Sequence, residues 1–200
     1  MIVAFPHKAG HGGPGSFQSR FESELKKLGH SISYAEDKTT PDVILVVGGT
    51  SKIKWLLECK RNKIPIIYRL DGINWLHKIK GAHQRNWKNW VVSEVINTMN
   101  KFIHSFVADH IIYQSEFVKN WWEEQAWQKN KPFNVIKNAV DLNEFYPNSV
   151  NSLTRVICLE GTLDYSPYAI NLINKLNDRL KKYSIPFEVY GQIKFTSAME

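Results

Sequence analysis

Short apolar runs that alternate with amphipathic helical patterns constrain the fold of this chain more than any other feature. The runs predict strands at residues 2–5, 31–35, 43–47, 65–70, 110–113 and 133–136. Val43–Val47 is apolar at every position, which is typical of a strand covered on both faces of a sheet. Strands that alternate with helices indicate an α/β domain built on a parallel sheet.

The segments between these strands carry helical patterns with one apolar face. The first helix is predicted to begin at a Ser16 cap and to end at Gly29. Its predicted core face is Phe17, Phe21, Leu25 and Leu28. A long helix before residue 110 has a predicted core stripe of Val92, Val95, Ile96, Met99, Ile103 and Phe106. Ser115 is predicted to cap the next helix.

A second group of elements follows Pro147. Val156–Leu159, Pro167–Tyr183 and Phe187–Tyr190 predict a strand, a helix and a strand. This is the pattern of one βαβ unit. We therefore predict two domains, residues 1–148 and residues 149–200.

Charge and composition limit the class of partner and the compartment. The net charge is +7 and the isoelectric point is about 9.3, which favours phosphorylated ligands, anionic lipid or nucleic acid. Two cysteines provide neither a disulfide framework nor a zinc motif, which fits a reducing cytosol. No apolar run approaches the roughly 20 residues of a membrane span. A cytoplasmic protein is expected, with any membrane contact peripheral.

A glycine-rich segment, His7–Ser16, joins the first strand to the first helix. Backbone amides at Gly12 and Gly13, together with the partial positive charge of a helix N-terminus, suit a diphosphate. A surface loop without a ligand is the other interpretation. Gly10, Gly12 and Gly15 also match the spacing of a dinucleotide fingerprint, although the segment between Phe5 and Gly10 is longer than that tight turn.

Asp71 ends the predicted strand at residues 65–70 and is followed by Gly72. Because ligands of open parallel sheets bind at the carboxyl ends of the strands, Asp71 is a candidate base or hydroxyl acceptor. Arg69 lies two residues earlier. A turn-forming Asp-Gly pair explains the same residues equally well.

Residues 74–88 contain no acidic side chain and interleave aromatic with basic ones. This strip includes Trp75, Lys78 and Lys80. It could hold a phosphorylated or lipid-linked acceptor, lie on an anionic bilayer, or bind single-stranded nucleic acid. A solvated basic face is the remaining alternative. His7 and His11 are flanked by glycines, so no metal site is expected there.

The segment Asn134–Pro147, which reads NVIKNAVDLNEFYP, resembles the interdomain segment of nucleotide-sugar glycosyltransferases with the GT-B fold, family 4 in particular. That family has an apolar strand, Asn-Gly-Val-Asp and then Phe-x-Pro, and Ala139 here replaces the glycine. The Gly-Gly-Pro-Gly-Ser sequence before the first helix is similar to a loop of the same family. The order of these motifs along the chain carries the resemblance.

The resemblance implies a fold and an activity. The fold is a Rossmann-like parallel sheet with helices on both faces, followed by the first βαβ unit of a second Rossmann-like domain. The activity is transfer of a sugar, with retention, from a nucleotide-diphosphate sugar to an acceptor hydroxyl, without a metal or other cofactor. Asp71 is implied near the reacting sugar. Residues implied near the donor phosphates are Gly12, Gly13, Gly161 and Thr162, and those implied on the acceptor side are His11, Arg69, Trp75, Lys78 and Lys80.

The chain departs from the family pattern in its second half. The loop at Gly161 and Thr162 lacks the family's Arg and Lys-Gly, and no Glu-x7-Glu motif is found between Gly161 and Glu200. The 200 residues are expected to be an incomplete enzyme with little activity alone. Expected partners are a nucleotide sugar, a glycan or lipid-linked hydroxyl acceptor and an anionic membrane surface, with no specific nucleic acid. The alternatives are a non-catalytic binding module with a basic, Trp-rich surface and a dinucleotide-dependent oxidoreductase.

Overall fold

The computed structural model describes residues 1–10, 12–74, 78, 87–143, 146, 155–162 and 167–192. The chain divides into two compact units, Met1–Asn74 with Val91–Ala139, and Trp75–Trp90 with Val140–Glu200. The predicted domain boundary between residues 148 and 149 lies outside the described residues. Within the described part of the chain, each helix is too short or too polar to cross a bilayer.

The first unit is built on a parallel sheet. Its described strands are β1 Ile2–Phe5, β2 Ser31–Tyr34, β3 Val43–Val47, β4 Ile66–Leu70, β5 His110–Tyr113 and β6 Phe133–Val135. They lie in the order β2-β1-β3-β4-β5-β6, and each neighbouring pair is parallel. The predicted strands and the α/β class are confirmed.

Helices cover both faces of this sheet, as predicted. They are α1 Gly12–Lys27, α2 Ile53–Arg61, α3 Trp87–Phe102 with a π-helical turn at Ile103–Val107, and α4 Glu116–Gln125. Leu25 of α1 packs with Val3 and Phe5 on one face. Alternate strand residues such as Ala4 point to the other face, where they join the larger core of α2, the π-helical turn and α4. Burial of a large apolar side chain such as Leu25 or Phe5 stabilises the fold by about 1.5–3 kcal/mol.

The predicted core face of α1 is confirmed only at Leu25, which is buried. Ser16 lies inside the helix rather than at its cap, and Phe21 and Leu28 are exposed. The buried side chains of α1 are Gly15, Gln18, Glu22 and Leu25. Gln18 and Glu22 are buried at low cost because they are hydrogen-bonded: Gln18 donates to the His7 carbonyl and to Glu22, and the Tyr34 hydroxyl donates to Glu22.

The predicted core stripe of the long helix is also mostly wrong. Val92, Val95, Ile96 and Phe106 are exposed, whereas Ile103 is buried as predicted. Asn97 is buried instead, because its side chain binds both the N–H and the carbonyl of Asn74. The π-helical turn adds a residue to one turn of the helix, so His104, Ser105 and Val107 face the core beside Ile103.

The Ser115 cap is confirmed, since its hydroxyl accepts a hydrogen bond from the Val118 N–H at 3.2 Å.

The second unit contains β7 Val156–Thr162, α5 Pro167–Lys181 and β8 Phe187–Gln192. β7 and β8 are parallel, which confirms the predicted βαβ unit.

Candidate functional site

The direction of the chain across the sheet reverses at β1, because β2 and β3 lie on opposite sides of it. In open parallel sheets, ligands bind beyond the carboxyl ends of the strands at such a reversal. Three segments lie at this edge of the first unit: the glycine-rich segment after β1, Gly48–Thr50 after β3 and Asp71 after β4.

Asp71 belongs to a closed ring of four hydrogen-bonded side chains, Arg69, Asp71, Gln114 and Asn138, which we call the edge network. Arg69 donates to Asp71 Oδ1 at 2.9 Å and to Asn138 Oδ1 at 2.7 Å. Gln114 donates to the same Asp71 oxygen, and Asn138 donates to Gln114 Oε1 at 2.9 Å. The ring therefore fixes one carboxylate oxygen with two donors.

Three strands and one helix position the edge network. Arg69 lies in β4, two residues before Asp71, so both side chains lie on the same side of the chain. Gln114 directly follows β5, and Asn138 follows β6 by three residues. The Trp122 indole of α4 donates to the Asp71 carbonyl at 2.9 Å, which anchors the backbone at the same point.

The second carboxylate oxygen of Asp71, Oδ2, is buried and has no hydrogen-bond partner among the described residues. It faces Gly48, where an added Cβ would lie 3.2 Å from Oδ2 and 3.5 Å from Pro14 Cβ. Gly48 also has a φ of +69°, a conformation that glycine adopts without strain. A glycine here thus avoids a tight contact with a buried carboxylate oxygen that can accept one more hydrogen bond.

Burial is the main cause of the pKa shifts of Asp71 and Arg69. It raises the pKa of the Asp71 carboxyl above its ordinary value, while the charge and hydrogen bond of Arg69 act in the opposite direction. Burial likewise lowers the pKa of the Arg69 guanidinium, and Asp71 opposes that shift. The Arg69 guanidinium also stacks on the Phe17 ring, 3.6 Å from its centroid. A carboxylate with a raised pKa and an unpartnered oxygen is suited to bind a hydroxyl or to accept a proton.

The glycine-rich segment is tied to the end of β3. His7 Nε2 is 2.7 Å from Thr50 Oγ1, and the His7 carbonyl accepts from Gln18. Gly15 fits directly against the backbone of Gly10, because a Cβ at Gly15 would lie 1.9 Å from the Gly10 carbonyl oxygen. Gly10 therefore packs against the first turn of α1.

The structure brings some predicted site residues together and not others. Gly12 and Gly13 form the start of α1, and Arg69 and Asp71 are hydrogen-bonded. Gly161 and Thr162 belong to the second unit and form the end of β7, where Thr162 pairs with Gln192, whereas the sequence predicted a loop. Lys78 is exposed. His11, Trp75 and Lys80 lie outside the described residues.

Sequence reasoning missed Gln114 and Asn138 as site residues. Each is a polar residue placed just after a predicted strand, which is the signal that could have identified it. Asn138 was assigned only to the junction motif, yet it binds Arg69 and Gln114. Among the described residues, no group of three or more His, Cys, Asp or Glu side chains could hold a metal ion.

Comparisons of the chain with family models, with curated proteins and with solved structures found no match. The resemblance drawn from the junction motif therefore stays a prediction. The chemistry of the site rests on its own geometry, which joins an acceptor-only carboxylate oxygen, a buried guanidinium and two amide side chains at the carboxyl edge of a parallel sheet.

Proposed function

We propose that this chain is the acceptor-side part of a retaining GT-B nucleotide-sugar glycosyltransferase, with Asp71 contacting the sugar or the acceptor hydroxyl. The edge network carries the proposal. Asn138 comes from the junction motif that resembles the interdomain segment of these enzymes, and it is bonded to Arg69 and Gln114, which hold Asp71. The motif and the candidate catalytic carboxylate thus belong to one hydrogen-bonded unit.

The reaction needs a group that orients hydroxyls and a group that stabilises the leaving diphosphate. The bond from the sugar C1 to the diphosphate oxygen breaks, a bond from C1 to the acceptor oxygen forms, and the acceptor proton passes to the released diphosphate. Asp71 Oδ2 supplies a hydrogen-bond acceptor for a hydroxyl at that stage. Backbone amides at Gly12 and Gly13, at the start of a 16-residue helix, suit the diphosphate.

The architecture supports the proposal at a coarser level. A parallel sheet with helices on both faces is followed along the chain by a separate βαβ unit. This is the order of elements that the resemblance implies for the first domain of a GT-B enzyme and the start of its second. Fold alone does not define an activity, so the proposal rests on the edge network.

Saturation-transfer NMR with UDP-, GDP- and ADP-sugars, and with NAD as a separate ligand, tests the proposal. We expect at least one nucleotide sugar to show contact through both its sugar and its nucleotide protons. Asp71→Asn should weaken the sugar signals and leave the nucleotide signals, while Asp178→Asn, an exposed carboxylate in α5, should change neither. No contact with any nucleotide sugar, or contact with NAD alone, would contradict the proposal.

A second candidate is a non-catalytic module that binds an anionic lipid surface. The observation that favours it is the apolar surface of α3, where Trp87 is 70% exposed and Trp90 is 51% exposed. Lys88 lies beside the Trp87 ring, 6.0 Å from its centroid. Co-sedimentation with phosphatidylglycerol vesicles that is lost at high salt and in Trp87→Ala, with no nucleotide-sugar binding, would favour this candidate.

A further inference from the structure

A cavity of about 540 Å³ lies between α1 and the sheet of the first unit. Its apolar lining comes from Phe17, Phe21, Leu45, Ile112 and Ile136. Small-molecule sites typically have volumes of about 300–1,000 Å³ with mainly apolar walls, so the size and the chemistry fit a bound ligand.

The cavity arises from how α1 covers the sheet. Leu25 of α1 packs over Val3 and Phe5 in β1 and over Leu45 in β3. Further along the sheet, Ile112 of β5 lies beside Arg69 of β4. Among the described elements, α2, the π-helical turn and α4 pack on the opposite face, so the α1 side of β4 and β5 remains partly uncovered.

The cavity also has cationic side chains in its wall. Arg20 and Lys137 line it, and Lys137 directly precedes Asn138 of the edge network. Glu24 is the acidic residue of the lining, and it pairs with Lys27 at 2.6 Å. The lining therefore combines apolar side chains with the positive charge of Lys137, which is next to Asn138 in the sequence.

We propose that this cavity binds one hydrocarbon chain of an amphiphile whose headgroup is a phosphate ester. The chain lies along Phe17, Leu45 and Ile112, and the phosphate lies at Lys137 beside the edge network. The inference deepens the proposed function, on which it rests, by naming the acceptor class as a phosphorylated lipid. Removal of its methylene groups from water favours binding, so the hydrocarbon chain supplies most of the affinity.

Three ligands separate the contribution of the hydrocarbon chain from that of the headgroup. They are octyl phosphate, inorganic phosphate and octyl glucoside, each used below its critical micelle concentration where it has one. We expect titration calorimetry to show saturable binding of octyl phosphate to the full chain. Octyl glucoside should bind at least about tenfold more weakly, and inorganic phosphate at least about a hundredfold more weakly. Equal binding of inorganic phosphate would overturn the role of the cavity, and equal binding of octyl glucoside would overturn anion recognition.

Two variants locate the ligand. Ala139 is exposed and lines the cavity, so Ala139→Phe should fill it without disturbing the core and should weaken octyl phosphate binding at least about tenfold. Lys137→Glu should weaken octyl phosphate but not octyl glucoside, whereas Lys129→Glu, an exposed control outside the lining, should change neither. Unchanged octyl phosphate binding in both cavity variants, with wild-type circular dichroism, would overturn the inference.

The two proposals fail separately. Octyl phosphate binding that is lost in Ala139→Phe, together with no nucleotide-sugar contact in the NMR experiment, supports the lipid site and contradicts the transferase. Nucleotide-sugar contact that depends on Asp71, without octyl phosphate binding, contradicts the lipid site and leaves the transferase supported.

Discussion

Replacing Arg69 by methionine tests whether the edge network stabilises the first unit. The Arg69 side chain is 3% exposed and donates to Asp71 Oδ1 at 2.9 Å and to Asn138 Oδ1 at 2.7 Å. Methionine keeps an apolar stem against the Phe17 ring but removes both donors and the charge. Asp71 Oδ1 then keeps Gln114 as its side-chain donor.

The magnitude follows from the burial of the two partners. Removing one partner of a buried ion pair costs about 3–5 kcal/mol, because the other charge stays buried without compensation. The Asp71 side chain is 23% exposed, so water recovers part of that loss and the lower end of the range applies. We expect Arg69→Met to lower the free energy of unfolding by about 3 kcal/mol.

Urea unfolding at neutral pH, followed by far-ultraviolet circular dichroism, measures this effect in Arg69→Met, Asp71→Asn and the double variant. The double variant should be about 2 kcal/mol more stable than the sum of the single effects predicts, because each single change leaves one partner unmatched. Arg155→Met is the control, since the exposed Arg155–Glu188 pair at 3.1 Å should contribute at most about 1 kcal/mol. An Arg69→Met effect below about 1 kcal/mol, or additive single effects, would refute the reasoning.

Three further changes test other parts of the first unit. Burial lowers the pKa of His104 to about 4 from 6.5, so its contribution to the free energy of unfolding is fully present above pH 6.5 and is lost as the pH falls towards 4. The loss amounts to about 3 kcal/mol. Urea unfolding of His104→Phe at several pH values should show most of this pH dependence removed. Gly15→Ala should lower the melting temperature because its Cβ would meet the Gly10 carbonyl, whereas Gly13→Ala, with open space around it, should leave it unchanged or raise it. Ser115→Ala should cost about 1 kcal/mol of the free energy of unfolding through loss of the helix cap, and an unchanged value would contradict that role.

The strands of this chain were predictable because each is a short apolar run whose pattern is local. Val43–Val47 illustrates this, since its limits agree with the observed β3. The face of α1 was not predictable from periodicity, because Gln18 and Glu22 are buried through bonds to His7 and Tyr34. Partners in other elements are invisible to a helical pattern.

The candidate site shows the same limit. Asp71 was predictable because it stands at the carboxyl end of a predicted strand, and its contact with Arg69, two residues earlier, is compatible with strand geometry. Gln114 and Asn138 come from two later strands, so their approach to Asp71 depends on the strand order. The predicted apolar stripe of α3 was mostly wrong for a different reason, because the π-helical turn changes the helical phase at Ile103.

The edge network also has a consequence for synthesis of the chain. Arg69 and Asp71 leave the ribosome well before Gln114, and Asn138 follows later still. During that interval the guanidinium has Asp71 but not Asn138, and the carboxylate has Arg69 but not Gln114. Because domains fold from the N-terminus as they are made, β1 to β4 can pair before this ring of hydrogen bonds exists. Closure of the ring therefore marks the moment at which β5 and β6 have docked in their correct places.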